Sequence, residues 1–220
     1  MIIELKNISK TFNGRKNPVT ALDKLTFKVV ENSFTLIKGP SGCGKSTLLF
    51  TMGGMLKPTD GKVIFLGEDL YKLSENERRK TTASNIGFVF QSYHLLPYLT
   101  VLENIKVQNK LPFLKIDNDY VESLAENLHL KNRLNHKPSQ LSIGEKQRVA
   151  LIRSLASQPK IILADEPTGN LDPENADIVL SFLKKFNDDG GTVVMVTHSY
   201  EADRLASHII NMKEGQMVSI

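Results

Sequence analysis

The stretch FTLIKGPSGCGKSTLLF, residues 34–50, limits the possible folds more than any other part of the chain. An apolar run reads as a strand, a glycine-rich turn follows, and a second apolar run opens as a helix. The turn matches G-x-x-x-x-G-K-[ST] in full, with Gly39, Gly44, Lys45 and Ser46 at the fixed positions. Glycines there let consecutive backbone N–H groups wrap one anion, and the helix start adds the positive end of its dipole. The loop predicts a phosphate cradle built from Gly39, Pro40, Ser41, Gly42, Cys43, Gly44, Lys45, Ser46 and Thr47. In such a cradle the lysine reaches the β and γ phosphates of a nucleotide, and the Ser46 hydroxyl binds Mg²⁺. Cys43 reads as a small residue fitted into a tight loop. A thiol at a helix start can also be unusually acidic, and then alkylation of Cys43 would block nucleotide binding.

The rest of the chain supplies a matching scaffold. Short apolar runs read as strands at Ile2–Leu5, Leu25–Val30, Phe34–Ile37, Val63–Leu66, Ile86–Phe90, Ile161–Ala164, Thr192–Val196 and His208–Met212. Helical spacing follows at 45–52, 75–81, 101–109, 118–129, 142–157, 174–187 and 199–206. This alternation predicts an α/β fold with a mainly parallel sheet. Residues 92–157 break it, reading as mostly helix, and are taken as an α-helical insertion between two core strands. The first 35 residues are strand-rich, with a turn at Asn13-Gly14, and predict a small antiparallel β layer. One domain spanning 1–220 fits this length.

Composition excludes several classes. No apolar run approaches the ~20 residues that a membrane-spanning helix needs. The start, MIIELKNISK, is too polar for a signal peptide. A single cysteine offers no disulfide framework, which predicts a cytosolic compartment. The net charge of +4 is spread along the chain and singles out no anionic partner.

Three further strand ends carry polar residues suited to phosphate chemistry. IILADE, residues 161–166, ends a buried strand in two carboxylates. Asp165 is the candidate Mg²⁺ ligand and Glu166 the candidate general base for an attacking water. His198 follows TVVMVT and can hydrogen-bond a γ-phosphate, while Gln91 follows IGFVF and can touch both Mg²⁺ and water. Ligands of open α/β sheets collect at the carboxyl ends of strands, where all four sites fall. A second helix start lies in LSIGEKQR, residues 141–148, with Ser142 as cap and Glu145 three residues on. It too favours an anion, yet the chain already has a complete phosphate loop.

Together these motifs resemble the ATP-binding-cassette (ABC) ATPases over essentially all 220 residues. The resemblance implies a P-loop NTPase (RecA-like) core, with ATP as substrate and Mg²⁺ as its cation. It makes LSIGEKQR the signature motif, Asn170-Leu171-Asp172 the D-loop and Phe12 the aromatic that stacks on adenine. In this family two cassettes sandwich two ATP molecules head to tail, so a second copy of the chain is implied as partner. Ser142, Gly144 and Asp172 would then contact ATP held by the other copy. The family usually has LSGGQ or LSGGE, and here Ile143 replaces the first glycine. As the first helical residue after the cap, Ile143 faces no demand for positive φ. Asn32 stands where a glycine is usual, and asparagine tolerates a left-handed turn. Lys38 stands where an apolar residue usually precedes the loop, and nothing in the sequence accounts for it.

QSYHLLPYLTVLENI and ADEPTGNLD resemble a narrower group, which drives lipoprotein release, macrolide and peptide export, and cell division. Its members serve a separate integral membrane permease from the cytoplasmic face of the membrane. Leu95–Glu103 is the expected docking stretch. The alternative is a non-transport ABC ATPase acting on DNA or ribosomes. Fewer than a hundred residues separate phosphate loop from signature, no sustained heptad appears, and there is one cassette, so no nucleic acid is expected.

Overall fold

The computed structural model describes residues 1–14 and 17–218. Two sheets share the chain. The first is antiparallel, with order β2-β1-β4-β5, from β1 (Ile3–Asn13), β2 (Pro18–Val29), β4 (Asp60–Phe65) and β5 (Glu68–Asp69). The second has order β10-β9-β3-β8-β7-β6, from β3 (Phe34–Lys38), β6 (Ile86–Val89), β7 (Ile161–Asp165), β8 (Thr192–Val196), β9 (His208–Lys213) and β10 (Gln216–Val218). Its pairings are parallel from β9 through β6, and only β10 runs antiparallel. β7 and β8 are buried at every residue, as expected for parallel strands covered on both faces.

The antiparallel layer is larger than its sequence suggests. β1 and β2 run to 11 and 12 residues, well beyond their apolar runs, because half of each strand is solvent-facing and polar. β4 and β5, from after the phosphate loop, complete it. The Asn13-Gly14 turn leads into residues 15 and 16, which lie outside the described residues.

The helices are α1 (Lys45–Met52), α2 (Glu75–Asn85), α3 (Val101–Ile105), α4 (Asn118–Asn127), α5 (Ile143–Leu155) and α6 (Pro173–Asp188). The helix expected over 101–109 is α3 followed by a 3-10 helix over Lys106–Lys110. The one expected over 199–206 is a 3-10 turn, Glu201–Leu205. Between β6 and β7 the described residues hold helices and no strand.

Two apolar cores result. One joins the antiparallel sheet and α1 to one face of the parallel sheet, through Leu5, Leu48, Phe65 and Leu163 among others. The other joins the opposite face to α3–α6, through Leu36, Ile105, Leu151 and Leu180. β3 lies inside the parallel sheet, so the loop that leaves it is held from both sides.

Candidate active site

The phosphate loop is wedged between two strands. Gly39 has φ +152°, and a Cβ on it would lie 2.2 Å from the Met212 carbonyl oxygen of β9. Gly44 has φ +105°, and a Cβ there would lie 2.2 Å from the Ala21 carbonyl oxygen of β2. Only glycine fits either place. α1 begins at Lys45 with no side-chain cap, which leaves its first N–H groups for a ligand. Lys45 Nζ donates to the carbonyls of Gly39 at 2.8 Å and Pro40 at 3.0 Å, which holds the ammonium against the loop. Pro40, Ser41 and Gly42 are exposed, while Thr47 is half-buried in α1. Cys43 is 6% exposed and packs in the core under the loop, against Gly39. Its place is that of a small side chain filling the space beneath the loop.

Neighbouring strand ends bring the other residues to this loop. Ser46 Oγ donates to Asp165 Oδ1 at 3.0 Å. Burial raises the Asp165 carboxyl above its ordinary range, against the opposing pulls of the Ser46 hydrogen bond and the Lys45 charge. A half-compensated carboxylate beside a hydroxyl is an oxygen-only donor set, which fits Mg²⁺. No cluster of three or more His, Cys, Asp or Glu among the described residues could hold a metal. Mg²⁺ held at this pair would take its remaining ligands from phosphate oxygens and water, as the ion prefers.

Glu166 follows with φ +45°, a left-handed conformation rare outside glycine. Its N–H donates to the Val196 carbonyl at 2.9 Å, which fixes the strained turn to the end of β8. Glu166 Oε2 accepts the His198 N–H at 3.3 Å, and Oε1 lies 3.3 Å from His198 Nε2. That same nitrogen is 3.3 Å from Lys45 Nζ. The imidazole thus sits between the base and the lysine. Toward Lys45 its Nε2 is the acceptor, so donation to a phosphate oxygen calls for the other tautomer.

Gln91 is exposed beside the turn after Glu166, with its Nε2 3.8 Å from where a Gly169 Cβ would stand. The backbone beyond it is unusual. Tyr93 and His94 have φ +56° and +47°. Arg153 of α5 holds both, donating to the Tyr93 carbonyl at 2.6 Å and the His94 carbonyl at 2.7 Å. Sequence reasoning missed Arg153, whose only signal is a cation inside the apolar run ALIRSL. Within Leu95–Glu103, Leu95 and Leu102 pack onto the core, while Tyr98 is 69% exposed. Phe12 is 42% exposed on β1, with Lys10 Nζ 5.2 Å from its ring centroid.

The signature start has the reciprocal cap its sequence predicts. Ser142 Oγ accepts the Glu145 N–H at 3.2 Å, and Glu145 Oε2 accepts the Ser142 N–H at 2.7 Å. That second bond, with Arg133 nearby, holds the Glu145 carboxyl below its ordinary range. Ile143 is the first helical residue and 53% exposed, so it needs no left-handed backbone. Gly144 is fully inside the helix, and a Cβ there would lie 2.2 Å from Asn175 Oδ1. Asn175 also donates through its N–H to Asp172 Oδ1 at 2.9 Å and through Nδ2 to Oδ2 at 2.7 Å, and it accepts from Arg148. One amide thus ties the D-loop to the signature helix. Nothing in the sequence motif marks Asn175 for this.

A strand-end phosphate loop with a hydroxyl–carboxylate pair and a carboxylate beside it is the arrangement of a P-loop nucleoside triphosphatase. A profile described as ABC transporter matches residues 22–169. An uncharacterized ABC transporter ATP-binding protein of Methanocaldococcus jannaschii is 44% identical over 223 residues, covering 100% of this chain and 99% of the relative. The lipoprotein-releasing system ATP-binding protein LolD of Buchnera aphidicola is 37% identical over 220 residues, with 99% and 96% covered. The dimeric, post-hydrolysis structure of a Methanocaldococcus jannaschii ATP-binding cassette bound to ADP and Pi superposes with TM-score 0.92 at 37% identity, covering 99% of this chain and 97% of that one. The chain belongs to the ABC transporter family, as an ATP-binding subunit with ATPase activity.

Proposed function

We propose that this chain powers a separate membrane permease of the lipoprotein-release and macrolide-export kind through an ATP-driven head-to-tail dimer. The observation that carries the reading is a split site. Lys45, Ser46, Asp165, Glu166 and His198 converge on one loop, while the capped start of α5 spends its own hydrogen bonds on Glu145 and leaves Ser142 and Ile143 exposed. A second copy would bring Ser142, Gly144 and Asp172 to the γ-phosphate. The dimeric relative with ADP and Pi and the relative named for lipoprotein release support this.

In this reading Phe12 stacks on adenine and the loop N–H groups bind the phosphates. Lys45 neutralises the charge that develops at the γ-phosphate. Ser46, Asp165 and Gln91 would hold Mg²⁺, whose chemistry is to neutralise phosphate oxygens. Glu166 accepts a proton from water as the water oxygen attacks the γ-phosphorus and the β–γ bridging bond breaks. ADP and phosphate leave. His198 orients the γ-phosphate, with Nε2 protonated for the purpose.

No helix among the described residues is long and apolar enough to cross a membrane. In this reading the permease is a separate chain, with this one peripheral at the cytoplasmic face. A groove of about 470 Å³ between α2, the 88–94 segment and α5 supports a docking place. Met55, Arg79, Phe88, Phe90 and Leu111 line it, and none of Leu95–Glu103 does. Tagged Glu166→Gln, loaded with Mg-ATP and recovered from native membranes, tests the proposal. Co-purification of a permease with a large extracytoplasmic domain is expected. Ribosomal or DNA-bound partners without a permease would overturn it.

A further inference from the structure

Lys38 closes β3, immediately before Gly39, after four residues no more than 1% exposed. Its own side chain is 16% exposed, and its ammonium ion-pairs with the Asp203 carboxylate. The same ammonium lies 4.8 Å from the centroid of the Tyr200 ring. Asp203 Oδ1 is shut off from solvent, and the Lys38 ammonium is the group that compensates it. Both partners belong to the turn that follows His198.

That turn is a stiff unit. The Ser199 N–H donates to Thr197 Oγ1 at 3.0 Å, the Glu201 N–H to Ser199 Oγ at 3.1 Å, and the Asp203 N–H to the Tyr200 carbonyl at 3.1 Å. At its near end the Thr197 N–H donates to the Ile37 carbonyl at 3.3 Å. At its far side Arg204 pairs with Asp177 of α6 at 2.9 Å. A shift of Asp203 is thereby passed back to His198, whose imidazole has only 3.3 Å contacts to Glu166 and Lys45 to hold it.

We infer that Lys38 is a positioning residue for hydrolysis: by pairing with Asp203 and seating against Tyr200, it keeps the His198 turn in register with the phosphate loop. This rests on the reading of His198 given above. Removing the ammonium takes away the ion pair and the ring contact that tie the Asp203 turn to the end of β3, and leaves Oδ1 without its counter-charge. Lys38 itself touches neither phosphate nor water in this account, so nucleotide affinity is not its job.

The test measures kcat and KM for ATP of the purified full chain in four forms: Lys38→Met, Lys38→Arg, Asp203→Asn and His198→Ala. Circular dichroism establishes that each is folded. His198→Ala should lose most of its turnover. Lys38→Met should lose kcat about 10-fold or more at unchanged KM, the scale of a misplaced catalytic group. Asp203→Asn should fall in the same parameter, and Lys38→Arg should recover most of the rate. If His198→Ala fails while Lys38→Met turns over normally, the inference is wrong and the His198 assignment stands. If Lys38→Met raises KM at constant kcat, Lys38 serves nucleotide binding and the inference is overturned. If His198→Ala itself keeps full kcat, the assignment of His198 falls and the inference with it.

Discussion

Asp165 is where the chemistry of the site and the stability of the fold oppose each other. Burial raises its carboxyl pKa in the folded chain, so the folded state holds a proton that the unfolded state releases earlier. Stability contributed here is therefore greatest below the unfolded value and declines as pH rises through the raised folded one. An ionised carboxylate at this buried place is a burden on the nucleotide-free protein. Asp165→Asn should raise its Tm at pH 7, by about 2–4 °C for each kcal/mol relieved, and abolish Mg²⁺-dependent hydrolysis. A lowered Tm would mean that the Ser46 hydrogen bond outweighs the burial. Glu166 carries a different tension, a left-handed backbone at φ +45°. Glu166→Gln keeps that backbone and its size but loses the base, so it should bind ATP and hydrolyse it at least ~10²-fold more slowly. Normal turnover would remove Glu166 from the reaction.

At the scale of elements, the start of α5 joins capping to function. Ser142→Ala removes the Oγ that accepts the Glu145 N–H, one half of the reciprocal cap, and should destabilise the fold by about 1 kcal/mol, read by chemical denaturation. Because the Glu145 pKa is lowered, the cap's contribution is present at neutral pH and lost as pH falls through the folded value. The carboxylate half of the cap rests on the Ser142 backbone N–H, so the difference between wild type and Glu145→Ala should shrink in acid, and a constant difference would contradict it. Gly144→Ala should drive α5 and α6 apart at Asn175 and cost about 1–3 kcal/mol. The double variant Gly144→Ala/Asn175→Ala should be less damaged than the sum of the two, by coupling.

These two helices also show how far local sequence carries. Motifs announce themselves where the backbone is dictated locally: the glycines of residues 39–44, the cap at Ser142, the apolar runs of β7 and β8. The pairs that align them come from distant segments. Arg153 on the 93–94 carbonyls, Asn175 against Gly144 and Lys38 on Asp203 each depend on a meeting that no window of sequence contains. The antiparallel layer is underestimated for a related reason, since its long strands face water and alternate too weakly to stand out.

At the scale of the whole molecule, the proposal divides the phosphate-binding groups between the phosphate loop and the start of α5. A larger cavity, of about 650 Å³, lies at the amino-terminal ends of the parallel strands, away from every residue of the site. The nucleotide site is instead an open face that a second copy would close. This is the central claim, and sedimentation velocity of Glu166→Gln with saturating Mg-ATP tests it most directly. The account predicts a nucleotide-dependent shift from monomer to dimer, lost when Ser142→Ala is combined with Gly144→Ala. A Glu166→Gln protein that binds ATP fully and stays monomeric would contradict it.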